Sequence, residues 1–421
     1  MVFNVMNYGA VADGNTDNSK VFECVFNKAC QSEGINLVLI PRGTYMLWPI
    51  MLKGPCKGQV EFQIKGTLKA PTDKASTVNV YYWIAFQYID QLILTGGGKL
   101  DGQGLAAWNV YTCNVDPNCK ALPISLRLDF VTNSRINHLS SINSKSAHMN
   151  VFACEHVTFD YIRIIAPKDS PNTDGIHIGS SSNIDILNSI ISTGDDCVSL
   201  SSGSKDINIQ DVKCGPDHGI SVGSLGGVRN EEDVSGLTVT HSTFIGTENG
   251  LRVKTWARPY SNNVFNLTFE NIIMENVDNP IIIDQQYCPL RNCKKGDSQV
   301  QIRDVKFRNI TGTSSSKIAI AFDCSKSKPC ENIELNNINL TYNGAGGPVT
   351  SLCSNAKVPS EGLVVELESV IRNEGMRDPE SRDNVSPNKF LSIHIPNVGQ
   401  RLNFDPFGEV VGGNQQISLI P

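Results

Sequence analysis

The sequence predicts an all-β fold, a right-handed parallel β-helix with a short N-terminal capping helix, and three observations carry the prediction. The first is a loose repeat. Val157-Thr158-Phe159, Ile184-Asp185-Ile186, Ile207-Asn208-Ile209, Leu237-Thr238-Val239, Leu267-Thr268-Phe269, Val305-Lys306-Phe307 and Ile333-Glu334-Leu335 start 27, 23, 30, 30, 38 and 28 residues apart. The second is the apolar-polar-apolar order inside each triplet, the mark of a half-buried strand, with Asn, Asp, Ser and Gly turn formers between triplets and no helical period. The third is the unevenness of the spacing, which stacked coils tolerate because insertions stay in loops. One such turn cannot bury its own apolar face, so successive turns stack in parallel at about 4.8 Å and share one long core.

An open stack exposes unpaired strand edges, so the ends need covers. Residues 17–33 place Val21, Phe22, Val25, Phe26 and Ala29 at near-helical spacing before Gly34. That pattern predicts a short amphipathic helix, either capping the stack or lying on its surface. The repeat fades after Ser351-Leu352-Cys353, and residues 361–421 are charged and Pro-containing. The expected organisation is one β-helix over residues 1–360, then a tail over 361–421 that is either disordered or packed on the last coils.

Composition narrows the partners. No apolar run in the 421 residues approaches the ~20 that a membrane-spanning helix needs. A formal net charge of -6 disfavours nucleic acid, so an acidic ligand must be held by a local cluster of positive charge. None of the 13 cysteines forms a Cys-x-x-Cys pair, whereas Cys113/Cys119, Cys197/Cys214, Cys288/Cys293 and Cys324/Cys330 sit at loop-closing separations. Disulfides in an oxidising compartment follow, and an odd count leaves at least one thiol unpaired or bonded outside the chain. Asn-x-Ser/Thr triplets at Asn266, Asn309, Asn339 and Asn384 agree with a secretory route. The start Met1-Val2-Phe3-Asn4-Val5 lacks an apolar signal region, as expected of a mature form given a new start codon, and the expected location is extracellular.

Four short islands carry the candidate chemistry: Asn172-Thr173-Asp174-Gly175, Gly194-Asp195-Asp196, His218-Gly219 and Arg252-Val253-Lys254. They stand about one repeat apart, so successive coils of one sheet bring them into one groove. Neighbouring strands hold side chains ~5 Å apart and next-but-one strands ~10 Å, which brackets the ~6.5 to 9.5 Å between the carboxyls of inverting glycosidases. Crowded carboxylates cannot all ionise easily; one is expected to be raised in pKa and to serve as general acid. Taken singly, each island has a plainer meaning. Asp in Asn-Thr-Asp-Gly can serve a turn, His218 can be a satisfied structural histidine, and Arg252 and Lys254 alternate on one solvated strand face. Adjacent Asp195 and Asp196 point to opposite faces unless the backbone bends, and burying an unpaired carboxylate is costly. His177 is assigned a structural role.

These islands, with Gly215-Pro216-Asp217-His218-Gly219-Ile220-Ser221-Val222-Gly223-Ser224, resemble in order and spacing those of the polygalacturonases, pectin-cleaving glycoside hydrolases built as right-handed parallel β-helices. The similarity runs from about Phe3 to Cys353. The stretch Ala166-Pro167-Lys168-Asp169-Ser170-Pro171 and the Cys113/Cys119 insertion resemble plant members of the pollen type, which are generally exo-acting. The resemblance implies that Asp195 protonates the glycosidic oxygen, that Asp174 and Asp196 activate water, and that the anomeric centre inverts. It further implies that His218 holds the acid in its protonation state, that Arg252 and Lys254 grip a galacturonate carboxylate, that Asn172 orients the site and that Tyr287 contacts substrate. A guanidinium fork and an ammonium point charge suit a carboxylate. No metal or other cofactor is implied, the partner is polygalacturonate, and the chain is expected to act as a monomer in the cell wall.

The resemblance also implies a first bridge between Cys30 and Cys56, leaving Cys24 and Cys154 unassigned and Cys353 without its usual partner near the end. One departure stands beside the site. Asp217 takes the place of a family glycine, where positive φ strains it and its charge tends to raise the pKa of His218. The alternative that follows is a wall-associated pectin-binding protein of weakened turnover. Lyases of similar fold, which use calcium and an arginine base, are a third class.

Overall fold

The computed structural model describes residues 1–73, 80–109, 121–289, 293 and 296–358 in full, and 360–361 and 367–369 as backbone. Two long sheets, of twenty-two and twelve strands among the described residues, run the length of a parallel β-helix. Strand-to-strand crossovers in such a sheet are right-handed, the hand the sequence predicts.

The seven triplets fall on one another residue for residue in the larger sheet. Val157 pairs with Ile184, Ile184 with Ile207, Ile207 with Leu237, Leu237 with Leu267, Leu267 with Val305 and Val305 with Ile333. The two apolar residues of every triplet are buried, so each polar middle residue faces outward. Such a column is worth about 1.5–3 kcal/mol per fully buried aliphatic or Phe side chain. Rings continue it inside: Phe269 stacks on Phe307 at 5.0 Å, and Phe307 on Phe322 at 6.1 Å.

The turn formers after the triplets have a specific reason. Asn271, Asn309 and Asn337 take φ of 56°, 51° and 52°, a left-handed conformation that asparagine tolerates best among residues with a side chain. Their amides form a ladder, Asn337 Nδ2 donating to Asn309 Oδ1 at 2.9 Å and Asn309 Nδ2 to Asn271 Oδ1 at 3.0 Å.

The helix Ser19–Cys30 is a cap and not a surface helix. Asp17 Oδ1 accepts from the backbone N–H of Ser19 at 2.9 Å, satisfying one orphan donor of the first turn. Phe22, Val25, Phe26 and Ala29 are fully buried, Phe26 meeting Phe62 and Phe86 at 6.1 and 6.3 Å across the open end of the core. Cys30 is bonded to Cys56, which ties the helix to the first coils.

The pairs Cys197–Cys214, Cys288–Cys293 and Cys324–Cys330 are also bonded. Cys113 and Cys119 lie outside the described residues. Cys24, Cys154 and Cys353 are free thiols, Cys24 exposed and Cys154 buried. Beyond residue 360, backbone pairing joins Asn336 to Glu361 and Ser351 to Leu367. The rest of that tail lies outside the described residues. No helix among the described residues is long and apolar enough to cross a membrane.

Candidate active site

The islands meet at the smaller sheet, where short strands hold register over four coils. Ile176 pairs with Val198, Val198 with Ile220 and Ile220 with Leu251, all four side chains being buried. One residue further on, His177, Ser199, Ser221 and Arg252 form an outward column. Two residues before the paired positions, Asp174, Asp196 and His218 stack above one another at the mouths of their strands. Asp195 and Asp196 precede the strand Val198–Leu200 and sit in the turn after Gly194. The strand rule that would part them therefore does not apply. Ligand-capable atoms of Asp195, Asp196 and His218 lie within 4.8 Å of one another.

Asp196 is the anchor. Its Oδ1 accepts from Arg252 Nη2 at 2.7 Å and from Ser221 Oγ at 2.7 Å, and its Oδ2 from Lys254 Nζ at 2.9 Å. Burial alone would raise its pKa, but Lys254 and Arg252 outweigh burial and hold the carboxyl well below its ordinary value. Arg252 and Lys254 are themselves buried, at 8% and 7% exposure, which corrects the solvated-face reading. They project from the strand Asn249–Trp256, with Val253 turned into the core between them.

Asp174 behaves oppositely. Its Oδ2 accepts from Ser199 Oγ at 2.8 Å, yet burial, reinforced by the charges of Asp195 and Asp196, pushes the carboxyl up to about 8. The proton of the cluster therefore rests on Asp174 in the free protein, whereas the resemblance names Asp195 as the acid.

His218 faces Asp195 through Nδ1, 3.1 Å from Oδ1, and Glu248 through Nε2, 3.4 Å from Oε2. Burial opposes protonation of the ring, but the charge and hydrogen bond of Asp195, helped by Glu248, carry it up to about 9. Tyr287 ends the strand Asn279–Tyr287 with its ring 5.4 Å from Lys254 Nζ and edge-on to Trp256 at 5.1 Å. Asn172 is buried in the turn that carries Asp174, with a left-handed backbone at φ 49°. The disulfide Cys197–Cys214 follows Asp196 directly and staples its turn to the coil that carries His218.

His177, assigned a structural role, stands next to the cluster. Its Nδ1 lies 2.7 Å from Ser199 Oγ and 4.0 Å from Asp174 Oδ2, in the outward column. Ser199, Ser221 and Glu248 were missed as well. Stacking the sequence coil by coil would have found them, since Ser199 and Ser221 share the column of Arg252.

Asp217 also differs from expectation. It is absent from the residues with positive φ, the left-handed positions on its turn being Gly215 and Gly219, so the substitution carries no backbone strain. The carboxyl is 2% exposed, and Oδ1 accepts from the Gly219 N–H at 3.0 Å. Oδ2 has no partner among the described residues, and burial pushes the group well above the usual carboxylate range. Burial thus works against the charge that was expected to act on His218 from Asp217.

A cluster of neighbouring carboxyls, an imidazole between acids and buried cations is equipped for acid–base cleavage of a glycoside. The family pattern described as "Glycosyl hydrolases family 28" matches residues 30–363. The chain belongs to glycosyl hydrolase family 28. It is therefore a glycoside hydrolase. Among its relatives, an exopolygalacturonase of Platanus acerifolia is 46% identical over 366 residues, 86% of this chain and 96% of that one. A polygalacturonase of Gossypium barbadense is 45% identical, covering 84% of this chain and 86% of the relative. The solved endo-xylogalacturonan hydrolase from Aspergillus tubingensis is 24% identical with a TM-score of 0.76, over 88% of this chain and all of that one; at that identity it supports the fold alone.

Proposed function

We propose that this family 28 hydrolase cleaves α-1,4 links between galacturonate units of polygalacturonate with inversion. The observation that carries the reading is the split among three neighbouring carboxyls: Asp196 held ionised by two cations, Asp174 holding a proton, and Asp195 against His218. Moving that one proton from Asp174 to Asp195 creates an acid and a base at once. Asp195 then protonates the leaving glycosidic oxygen, while Asp174 and Asp196 take a proton from the attacking water, so the enzyme ends each turnover with its protons conserved.

Arg252 and Lys254 keep capacity for substrate while bound to Asp196. Arg252 uses Nε on Ser221 and Nη2 on Asp196, leaving three of its five donors, and Lys254 uses one of three. A sugar carboxylate set against them, with Tyr287 alongside, extends the same alternation of charge. Asn172 acts on the turn of Asp174. Both Asp196 oxygens are taken by cations, so a divalent ion would have to displace Arg252 or Lys254, and no metal is invoked. The site is built from one chain, and we assign it to a monomer acting outside the cell on wall pectin, with exo action favoured by the relatives so named.

The test is release of reducing ends from polygalacturonate with EDTA present, together with the anomeric form of the first product by NMR. A β-anomer formed initially supports the reading; unsaturated products or no release would overturn it. Secretion makes a second prediction. Asn266 and Asn339 are exposed on the larger sheet, whereas the Asn309 amide is locked in the asparagine ladder, so glycopeptide mapping should find sugar at the first two and a bare Asn309. Asn384 lies outside the described residues.

A further inference from the structure

The outward face of the smaller sheet continues past the catalytic cluster toward the N-terminus, over the strands Met149–Phe152, Ile124–Asp129, Tyr82–Gln87 and Ile50–Lys53. One column on that face runs from Lys254 through the positions of Gly223, Ser201 and Gly179 to Phe152. The three intervening positions carry a short side chain or none, and a Cβ placed on Gly179 would lie 3.8 Å from the Phe152 ring. Beyond it the rings form a ladder. Phe130 meets Phe152 edge-on at 6.0 Å, Tyr88 stacks on Phe130 at 4.8 Å with 15° between the planes, and Lys53 Nζ stands 5.3 Å from the centre of the Tyr88 ring.

Neither the turn nor the core calls for these rings. Tyr88 and Phe130 follow their strand ends at φ 56° and 54°, left-handed values that a bulky residue seldom adopts. On the next two coils toward the site the same position holds Ala153 and Ser180, at 52° and 48°, so the bend itself is served by small residues. Tyr88 and Phe130 also stay 36% and 39% exposed. A flat apolar face rimmed by polar groups on an outer surface marks a place of interaction. Its free charge is positive. Asp129, beside Phe152 in the column, is buried and paired with Arg127 at 2.8 Å, and Asp90 is engaged by Thr132 and Asn133. Lys53 is exposed and forms no ion pair among the described residues.

An aromatic face receives the C–H face of a sugar ring, and an ammonium beside it receives a carboxylate. We propose that Lys53, Tyr88, Phe130 and Phe152 form a second glycan-binding surface, which holds galacturonate units of the polymer away from the bond being cut and takes no part in cleavage. This rests on the reading of polygalacturonate as substrate. Phe152 stands four coil spacings from Lys254, roughly 19 Å, so a disaccharide at the catalytic cluster cannot reach the ladder whereas a polymer can.

The experiment compares wild type with the double variant Tyr88→Ala/Phe130→Ala, with Phe130→Leu and with Lys53→Gln, on polygalacturonate and on digalacturonate. The double variant should raise KM for the polymer about fivefold and leave kcat unchanged, the pattern of lost uniform binding. Both constants on digalacturonate should stay at wild-type values. Phe130→Leu keeps apolar bulk but removes the flat face, so it should raise the polymer KM while melting close to wild type, and it carries the test if the double variant fails to fold. Lys53→Gln should weaken the polymer alone and leave binding of a neutral galactan untouched. An unchanged polymer KM, an equal change on digalacturonate, or a Lys53→Gln variant indistinguishable from wild type would overturn the proposal. Equilibrium binding of polygalacturonate to Asp195→Asn, with and without the ladder substitutions, needs no turnover. A wild type that releases no sugar would therefore sink the substrate reading, while loss of polymer binding on removing the rings still decides the ladder.

Discussion

Asp196→Ala is expected to cost both activity and fold: kcat on polygalacturonate lowered about 10³-fold or more and stability lowered by about 3–5 kcal/mol. The second loss sets it apart from the other carboxyls. Arg252 and Lys254 are buried, at side-chain exposures of 9% and 8%, and both spend their closest contact on Asp196. Deleting one member of a buried ion cluster leaves the remaining charges without compensation in low dielectric, which costs more than the pair is worth when intact. Asp195→Asn is the control. It loses turnover to a similar degree, because an amide cannot deliver a proton, but it leaves the cations paired and should melt close to wild type. Thermal unfolding and reducing-end assays on both variants check this. A fully stable Asp196→Ala would mean that Arg252 and Lys254 are neutralised by some other group.

The second large effect is on stability against pH. Asp174 ionises near its ordinary 3.8 in the unfolded chain but is held up to about 8 in the fold. Between those values the native state keeps a proton that the unfolded state has lost, so stability falls as pH rises through that window. His218, raised from 6.5 to about 9, works in the same direction: its contribution is complete below 6.5 and is lost on the way to 9. Buried Asp217, raised for want of solvent and of a second partner, adds to the decline. Asp196 has the opposite sign, its contribution being present above the ordinary carboxylate range and lost on strong acidification. The optimum lies on the mildly acidic side, with about 2–4 kcal/mol lost between pH 5 and pH 8 once coupling among the groups is allowed for. Guanidinium unfolding at the two pH values measures it, and Asp174→Asn should flatten the slope. Equal or greater stability at pH 8 would contradict the picture of a protonated Asp174.

Much of the fold is legible in the chain because its signals are local. Val157-Thr158-Phe159 and its six counterparts announce strands by alternation, and their recurrence announces stacking, since no single turn could bury its own face. The asparagines after them are read as turn formers for the right reason, the left-handed backbone seen at Asn271, Asn309 and Asn337. The capping helix follows from the spacing of Phe22, Val25, Phe26 and Ala29, and the short-range disulfides from their separations. The islands at Asp174, Asp195, Asp196, His218, Arg252 and Lys254 are legible because a β-helix turns a spacing of one repeat into a neighbour in space.

What the chain could not reveal by itself is how those groups divide protons and partners, because that depends on register and burial across coils far apart in sequence. Arg252 reaches Asp196 across 56 positions and Lys254 across 58, so their shared engagement with one carboxylate is invisible in a linear reading. The same contacts make Asp196 the ionised member and leave Asp174, equally crowded but without a direct cation, to hold the proton. Asp217 seemed a defect until its backbone angle and its enclosure were known, and Glu248 carried no motif at all. Composition and spacing determined the solenoid and which residues its coils bring together; the packing of one coil on the next decided their charges, since an electrostatic environment is summed over neighbours in space and not along the chain.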